Sequence, residues 1–159
     1  MGKLLICLCL LICFTEHCSG NTPALRSVAV KGTLYCGKTP AENAKVRLFR
    51  VYVDPDKNKG QLALHEALDT RIVGSSGMFD LTANTNNRPV NETELAPAIG
   101  IYHQCGDEKK EGYRRVILKV PQEYVTLGRV PRKTYDIGTL NLELKYPKEG
   151  HVKEFLEKN

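Results

Sequence analysis

After Gly20 no stretch of the chain is apolar enough to cross a bilayer, which takes about 20 consecutive residues, so no transmembrane segment is expected in its body. Aromatic residues make up only 7% of the 159 and form no stacking series, and the formal net charge is a mild +5. Those two shortages exclude the basic, aromatic-lined face of a nucleic-acid-binding protein. Histidine, cysteine, aspartate and glutamate do not cluster at ligand spacing, so neither a metal nor another cofactor is expected. Internal repeats and low-complexity tracts are missing as well, which leaves about one domain.

What is present begins with "MGKLLICLCLLICFTEHCSG": a cation at Lys3, an apolar run from Leu4 to Phe14, and the small residues Ser19 and Gly20. The run is too short to span, and its layout is that of a cleaved secretory signal peptide over residues 1–20. The mature protein is therefore expected to be secreted and extracellular. Cleavage removes one lysine and one glutamate and leaves the charge at +5, which fits contact with anionic surfaces and fits plain solubility equally. It also removes Cys7, Cys9, Cys13 and Cys18, leaving Cys36 and Cys105. In an oxidising compartment two cysteines most simply form one intramolecular disulfide, the alternative being a pair of buried thiols.

The octapeptide "GTLYCGKT", Gly32 to Thr39, fits the G-x-x-x-x-G-K-[ST] pattern of a phosphate-binding loop. Such a loop needs glycine-permissive residues between a strand and a helix. Here Val28, Val30, Leu34 and Cys36 alternate with Lys31, Thr33 and Tyr35, a period of two that runs through the supposed loop. Gly37 to Pro40 reads as the turn that ends a strand, and Pro40 argues against a helix opening at Thr39. No acidic strand end suited to magnesium follows. The motif is expected to be strand and turn.

The rest repeats short strands and polar turns. "KVRLFRVYV", residues 45–53, is a strand and "DPDKNKG" a charged turn. "ALHEALDTRIV", residues 63–73, is ambiguous, because Leu64, Ala67 and Leu68 suit a helical turn while its end suits a strand. "GSSGMFDLTA" gives a tight turn and then Phe79 and Leu81 on one face, and residues 84–97 form a long polar connection. "AIGIYHQC" alternates Ile99, Ile101, His103 and Cys105 against Gly100, Tyr102 and Gln104; "YRRVILKV" sets Arg114, Val116, Leu118 and Val120 against Tyr113, Arg115, Ile117 and Lys119. "TYDIGTLNLEL" is expected to carry Leu140, Leu142 and Leu144 inward, with a bulge at Gly138. An all-β sandwich of two sheets follows, over residues 21–146. Cys36 and Cys105 both fall on the apolar phase of their strands, where a bridge is geometrically natural.

In order along the chain, "VAVKGTLYCGKTPAENAKVRLF", "GSSGMFDL", "IYHQC", "RRVILKVPQEYVTLG" and "KTYDIGTLNLEL" resemble the secreted nematode transthyretin-like family, from Ser27 to Leu144. The resemblance implies a prealbumin-type β-sandwich of seven to eight strands with at most one or two short helices. It also implies an extracellular life and, as for some members, ligand recognition at cell surfaces. Many members have a further cysteine in the stretch aligned with Glu111 to Arg114, and this chain has none there. The same fold serves hydroxyisourate hydrolases, which resemble one another in a C-terminal Tyr-Arg-Gly-Ser and in histidine and arginine lining a channel between subunits. This chain ends "HVKEFLEKN" without that tetrapeptide. Of His65, His103 and His151, only His103 falls on a core-facing phase, and a lone histidine there is read as a hydrogen-bonded core residue. No catalytic residue is assigned, and the chain is read as a binding protein rather than an enzyme.

The candidate binding residues are Lys109, Lys110, Arg114 and Arg115 before and in one strand, and Arg129, Arg132 and Lys133 before the last. Sharing one end of the sandwich, they would form a patch for anionic lipid, sulfated glycan or an acidic receptor; scattered, they are solvated charges that discourage strand-to-strand aggregation. Carriage of a small apolar ligand in a transthyretin-like oligomer is the alternative role. Asn91, in "NET", is a candidate glycosylation site in the long polar connection. In the charged tail, residues 147–159, Val152, Phe155 and Leu156 have helical spacing, so a short docked helix competes with a frayed end.

Overall fold

The computed structural model of the protein describes residues 24–52, 63–86 and 94–155. The signal-peptide segment, the sequon at Asn91 and Leu156 lie outside the described residues. Among the described residues ten strands run in order as β1 (Arg26–Cys36), β2 (Thr39–Pro40), β3 (Lys45–Tyr52), β4 (Ala63–Ile72), β5 (Met78–Asn84), β6 (Pro97–His103), β7 (Tyr113–Lys119), β8 (Thr126–Leu127), β9 (Thr134–Asn141) and β10 (Gly150–Val152). A single 3-10 turn, Gln122–Tyr124, is the helical element among the described residues. The strands form two five-stranded sheets. In the first, β1 is the spine, paired antiparallel to β2, β5 and β8 and parallel to β9. The second has the order β10-β7-β6-β3-β4, antiparallel throughout.

Alternation decides which side of each strand meets the core. Val28, Val30 and Leu34 of β1 and Leu81 of β5 have no exposed surface, and they face Val46, Leu48, Ile99 and Ile101 from the other sheet. Along β5, Phe79, Leu81 and Ala83 are buried while Met78, Asp80, Thr82 and Asn84 are exposed, the pattern of a strand with one wet face. The phosphate-loop look-alike is strand and turn. Gly37, at φ +63°, and Lys38 make a two-residue turn that pairs Cys36 with Thr39. Gly32 is there for packing: a Cβ would sit 2.4 Å from Cγ1 of Ile137, at the place where β9 inserts an extra residue at Ile137 and Gly138 opposite β1.

The ambiguous segment 63–73 is strand β4, and its pairing explains the helical look of its sequence. The register with β3 steps past Leu68 and again past His65. Each extra residue flips the face that follows, so apolar residues in a two-bulge strand fall at spacings of three rather than two.

Two expectations at the C-terminal side are corrected. Leu142 is fully buried, and Leu140 packs on the core at partial exposure, but Leu144 is 59% exposed. Strand β9 stops at Asn141, and the amide of Leu144 donates to the carbonyl of Asn141 in a turn that aims the side chain outward. The tail segment Gly150–Val152 is a strand on the edge of β7, not a helix. It leads Phe155 onto the outer face of the second sheet, where the ring meets Tyr102 edge-on at 5.1 Å and lies under Lys45 and Arg47. Phe155 thus packs over Tyr102, which has no exposed surface, while Phe49 approaches Gly100 on the same strand.

Candidate functional site

Cys36 ends β1 and Cys105 follows β6, and a disulfide joins them at one end of the sandwich with Cα atoms 5.7 Å apart. Beside it stands Arg114, second residue of β7 and cross-strand partner of His103. Its position on the phase of Val116 turns it inward, and it is only 8% exposed. The guanidinium makes a two-pronged pair with Glu149, at 2.5 and 2.9 Å, and donates to the carbonyls of Cys105, Leu142 and Leu144. The hydrogen bond from Arg114 holds the Glu149 carboxyl below its ordinary value, and the same bond raises the guanidinium. Arg114 is therefore a cross-brace, fixing the β6–β7 loop and the turn after β9 to each other. It takes no place in a surface patch.

Lys109 and Lys110 are exposed on the β6–β7 loop near this brace, and Lys110 is tied to Asp107 at 2.7 Å. That bond lowers the Asp107 carboxyl. Arg115 points to the opposite face of β7 from Arg114 and is half-buried.

Arg129, Arg132 and Lys133 occupy the other end. Strand β8 pairs with Arg26 and Ser27, the amide of Gly128 donates to Leu25, and the amide of Arg132 donates to Oγ1 of Thr126. Asn84 holds the carbonyl of Arg129 through its side-chain amide. All three cations are exposed, and Leu127 and Val130 beside them are 59% and 76% exposed. The eleven residues of β1 separate this loop from Cys36, a span of about 30 Å at a strand's usual rise. The two basic runs do not form one patch.

Next to the disulfide, a cleft of about 300 Å3 opens between the Pro40–Ala44 connection and the β6–β7 loop. Pro40, Ala41, Ala44 and the two cysteines give it apolar walls, and Glu42, Glu108 and His103 line it too. His103 is 3% exposed, and neither ring nitrogen has a hydrogen-bond partner among the described residues, unlike the bonded core histidine expected from sequence. Burial, helped by the nearby Arg114 charge, lowers its pKa to about 4, so the ring is neutral at physiological pH. No group of three histidine, cysteine, aspartate or glutamate side chains converges on a metal-sized site among the described residues. What sequence reasoning missed is that Glu42, Glu108 and His103 come together at the disulfide; the signal available was the disulfide itself, which draws the 37–44 and 104–112 segments to one place.

Residues 31–121 match the model of the Transthyretin-like family. Three relatives from Caenorhabditis elegans extend the match. Transthyretin-like protein 46 is 38% identical over 94% of this chain and 75% of its own length. Transthyretin-like protein 33 is 33% identical over 79% of this chain and 80% of its length, and transthyretin-like protein 5 is 29% identical over 93% and 96%. With a sandwich of the expected kind and relatives of this likeness over most of its length, the chain belongs to the transthyretin-like family.

Proposed function

We propose that the protein is a secreted, extracellular binding module that recognises an anionic lipid surface through the loop from Leu127 to Lys133. The observation that carries this reading is the company the cations keep: Arg129, Arg132 and Lys133 are exposed beside two exposed apolar side chains, Leu127 and Val130, on one tip. Cations attract a negatively charged headgroup layer, and apolar side chains gain by entering the boundary beneath it. A sulfated glycan or acidic receptor would use the charges and leave Leu127 and Val130 wet. Secretion is supported by the signal-like start of the chain and by the disulfide, which suits an oxidising compartment.

The test is co-sedimentation of the mature protein with phosphatidylserine vesicles at low and physiological salt, alongside retention on a sulfated glycan. Binding to the vesicles that weakens with salt, and weakens again in Leu127→Ser and Val130→Ser, is expected. Retention on the glycan with no vesicle binding would move recognition to a sugar, and failure on both surfaces would end the reading.

A further inference from the structure

Two sequences in the chain set arginines three apart, Arg47-Leu48-Phe49-Arg50 and Arg129-Val130-Pro131-Arg132. Arginine at the first and fourth positions before a peptide bond is the pattern cut by subtilisin-like endoproteases of the secretory route, whose clefts offer carboxylates to each guanidinium. Such a cleft takes its substrate as an extended strand, so a site in a folded protein must lift away from its neighbours before it can be cut. The fold decides which of the two arginine pairs can do so.

Arg47 and Arg50 lie in β3, which is paired to β4 on one side and β6 on the other, and Arg50 is only 5% exposed. Arg129–Arg132 lies between β8 and β9, in a segment with neither helix nor strand. Its backbone is held by two hydrogen bonds, both to side chains: the carbonyl of Arg129 accepts from Asn84, and the amide of Arg132 donates to Thr126. Both arginines and Val130 are exposed, so lifting the segment uncovers little core. The other exposed loop with adjacent cations, at Lys109 and Lys110, is tied down. It starts at the disulfide, its amides at Asp107 and Lys110 donate to the carbonyls of Gln104 and Asp107, and Lys110 is paired with the Asp107 carboxylate.

We propose that the bond between Arg132 and Lys133 is a processing site for an arginine-specific endoprotease of the secretory route, and that the product is a two-chain protein. Water adds across the bond, leaving a carboxylate on Arg132 and an amine on Lys133. Cys36 and Cys105 both precede the cut, so the disulfide does not cross it. The piece from Lys133 onward stays in place through the pairing of β9 with β1, the burial of Leu142 and the ion pair of Glu149 with Arg114. This assignment rests on the secretion proposed above and not on lipid binding by the same loop, since the cut is read by mass.

Uncut, disulfide-bonded mature protein is incubated with furin, an endoprotease of this specificity, and followed by intact mass and N-terminal sequencing. One cut after Arg132 is expected, about 100-fold faster than at any other bond, with the two pieces eluting together in gel filtration and parting in urea without reductant. Arg129→Ala should slow the cut about 100-fold, whereas Lys109→Ala with Lys110→Ala should leave its rate unchanged. A peptide spanning Leu127 to Thr134 should be cut at the same bond, and protein recovered from its native secretion should carry a new N-terminus at Lys133. First cleavage elsewhere, a peptide left uncut, a folded protein left intact under conditions that cut the peptide, or indifference to Arg129→Ala would each overturn the assignment. Native secreted protein of uncut mass would overturn it alone, and a native chain that retains residues 1–20 would overturn it together with secretion.

Discussion

The two ends of the sandwich spend their arginines in opposite ways. At the disulfide end Arg114 is buried, its donors shared among Glu149 and three backbone carbonyls. At the far end Arg129 and Arg132 stand in solvent beside exposed leucine and valine. A guanidinium enclosed by acceptors holds segments of chain together, and its removal leaves those acceptors bare. A guanidinium in water contributes almost nothing to stability and is available to a partner. One end is thus braced and the other is displayed, and each perturbation below should affect one end far more than the other.

The largest effect is expected from the bridge. Cys36 and Cys105 are 69 residues apart, and closing a loop of that length stabilises the native state by about 4 kcal/mol in the chain-entropy treatment. The double variant Cys36→Ser, Cys105→Ser should lose about that much in a urea titration. Arg114→Ala comes next, at about 3 kcal/mol, because it strands a mostly buried carboxylate and three carbonyls. Equal stability of Arg114→Ala and wild type would refute the brace.

Acid should also act at the braced end. The folded pKa of His103, about 4, lies below the unfolded value of 6.5. The unfolded chain therefore takes up a proton first, so the contribution of this group is complete above about pH 6.5, declines as pH falls, and is gone by about pH 4. A loss on the order of 2 to 3 kcal/mol is expected across that window. His103→Gln should flatten the slope; an unchanged slope would assign the effect elsewhere. Glu149, held low by Arg114, has the same sign, and its contribution is lost as pH falls from the usual carboxylate range downward.

Much of this arrangement was legible in the sequence. The period of two in β1, β5 and β7 gave the core faces, and it already set Arg114 on the side of Val116, away from Arg115. The separation of the basic runs was legible too, since β7 is the one full-length strand between Lys110 and Arg129, β8 being two residues long, and such a strand carries the chain from one end of a sheet to the other. The bulges of β4 were not, because an extra residue erases the alternation that announces a strand. The fate of the tail was hidden for another reason: Gly150–Val152 becomes a strand only because β7 offers it an open edge, a fact of tertiary structure with no local mark.

The smallest expected change in stability tests the displayed end. Replacing Arg129, Arg132 and Lys133 together by alanine removes three exposed charges, and each such change is worth no more than about 0.5 kcal/mol to the fold. Near an anionic membrane each cation contributes about 1 kcal/mol, so the same triple variant should lose about 100-fold in affinity for phosphatidylserine vesicles at low salt. Lys109→Ala with Lys110→Ala is the matched control, since it removes charge of the same sign from the braced end. That pair should leave vesicle binding nearly unchanged if recognition belongs to one tip. Losses in proportion to the charges removed, three against two, would mean that the membrane senses net charge alone, and the contrast between a braced and a displayed end would then have no bearing on function.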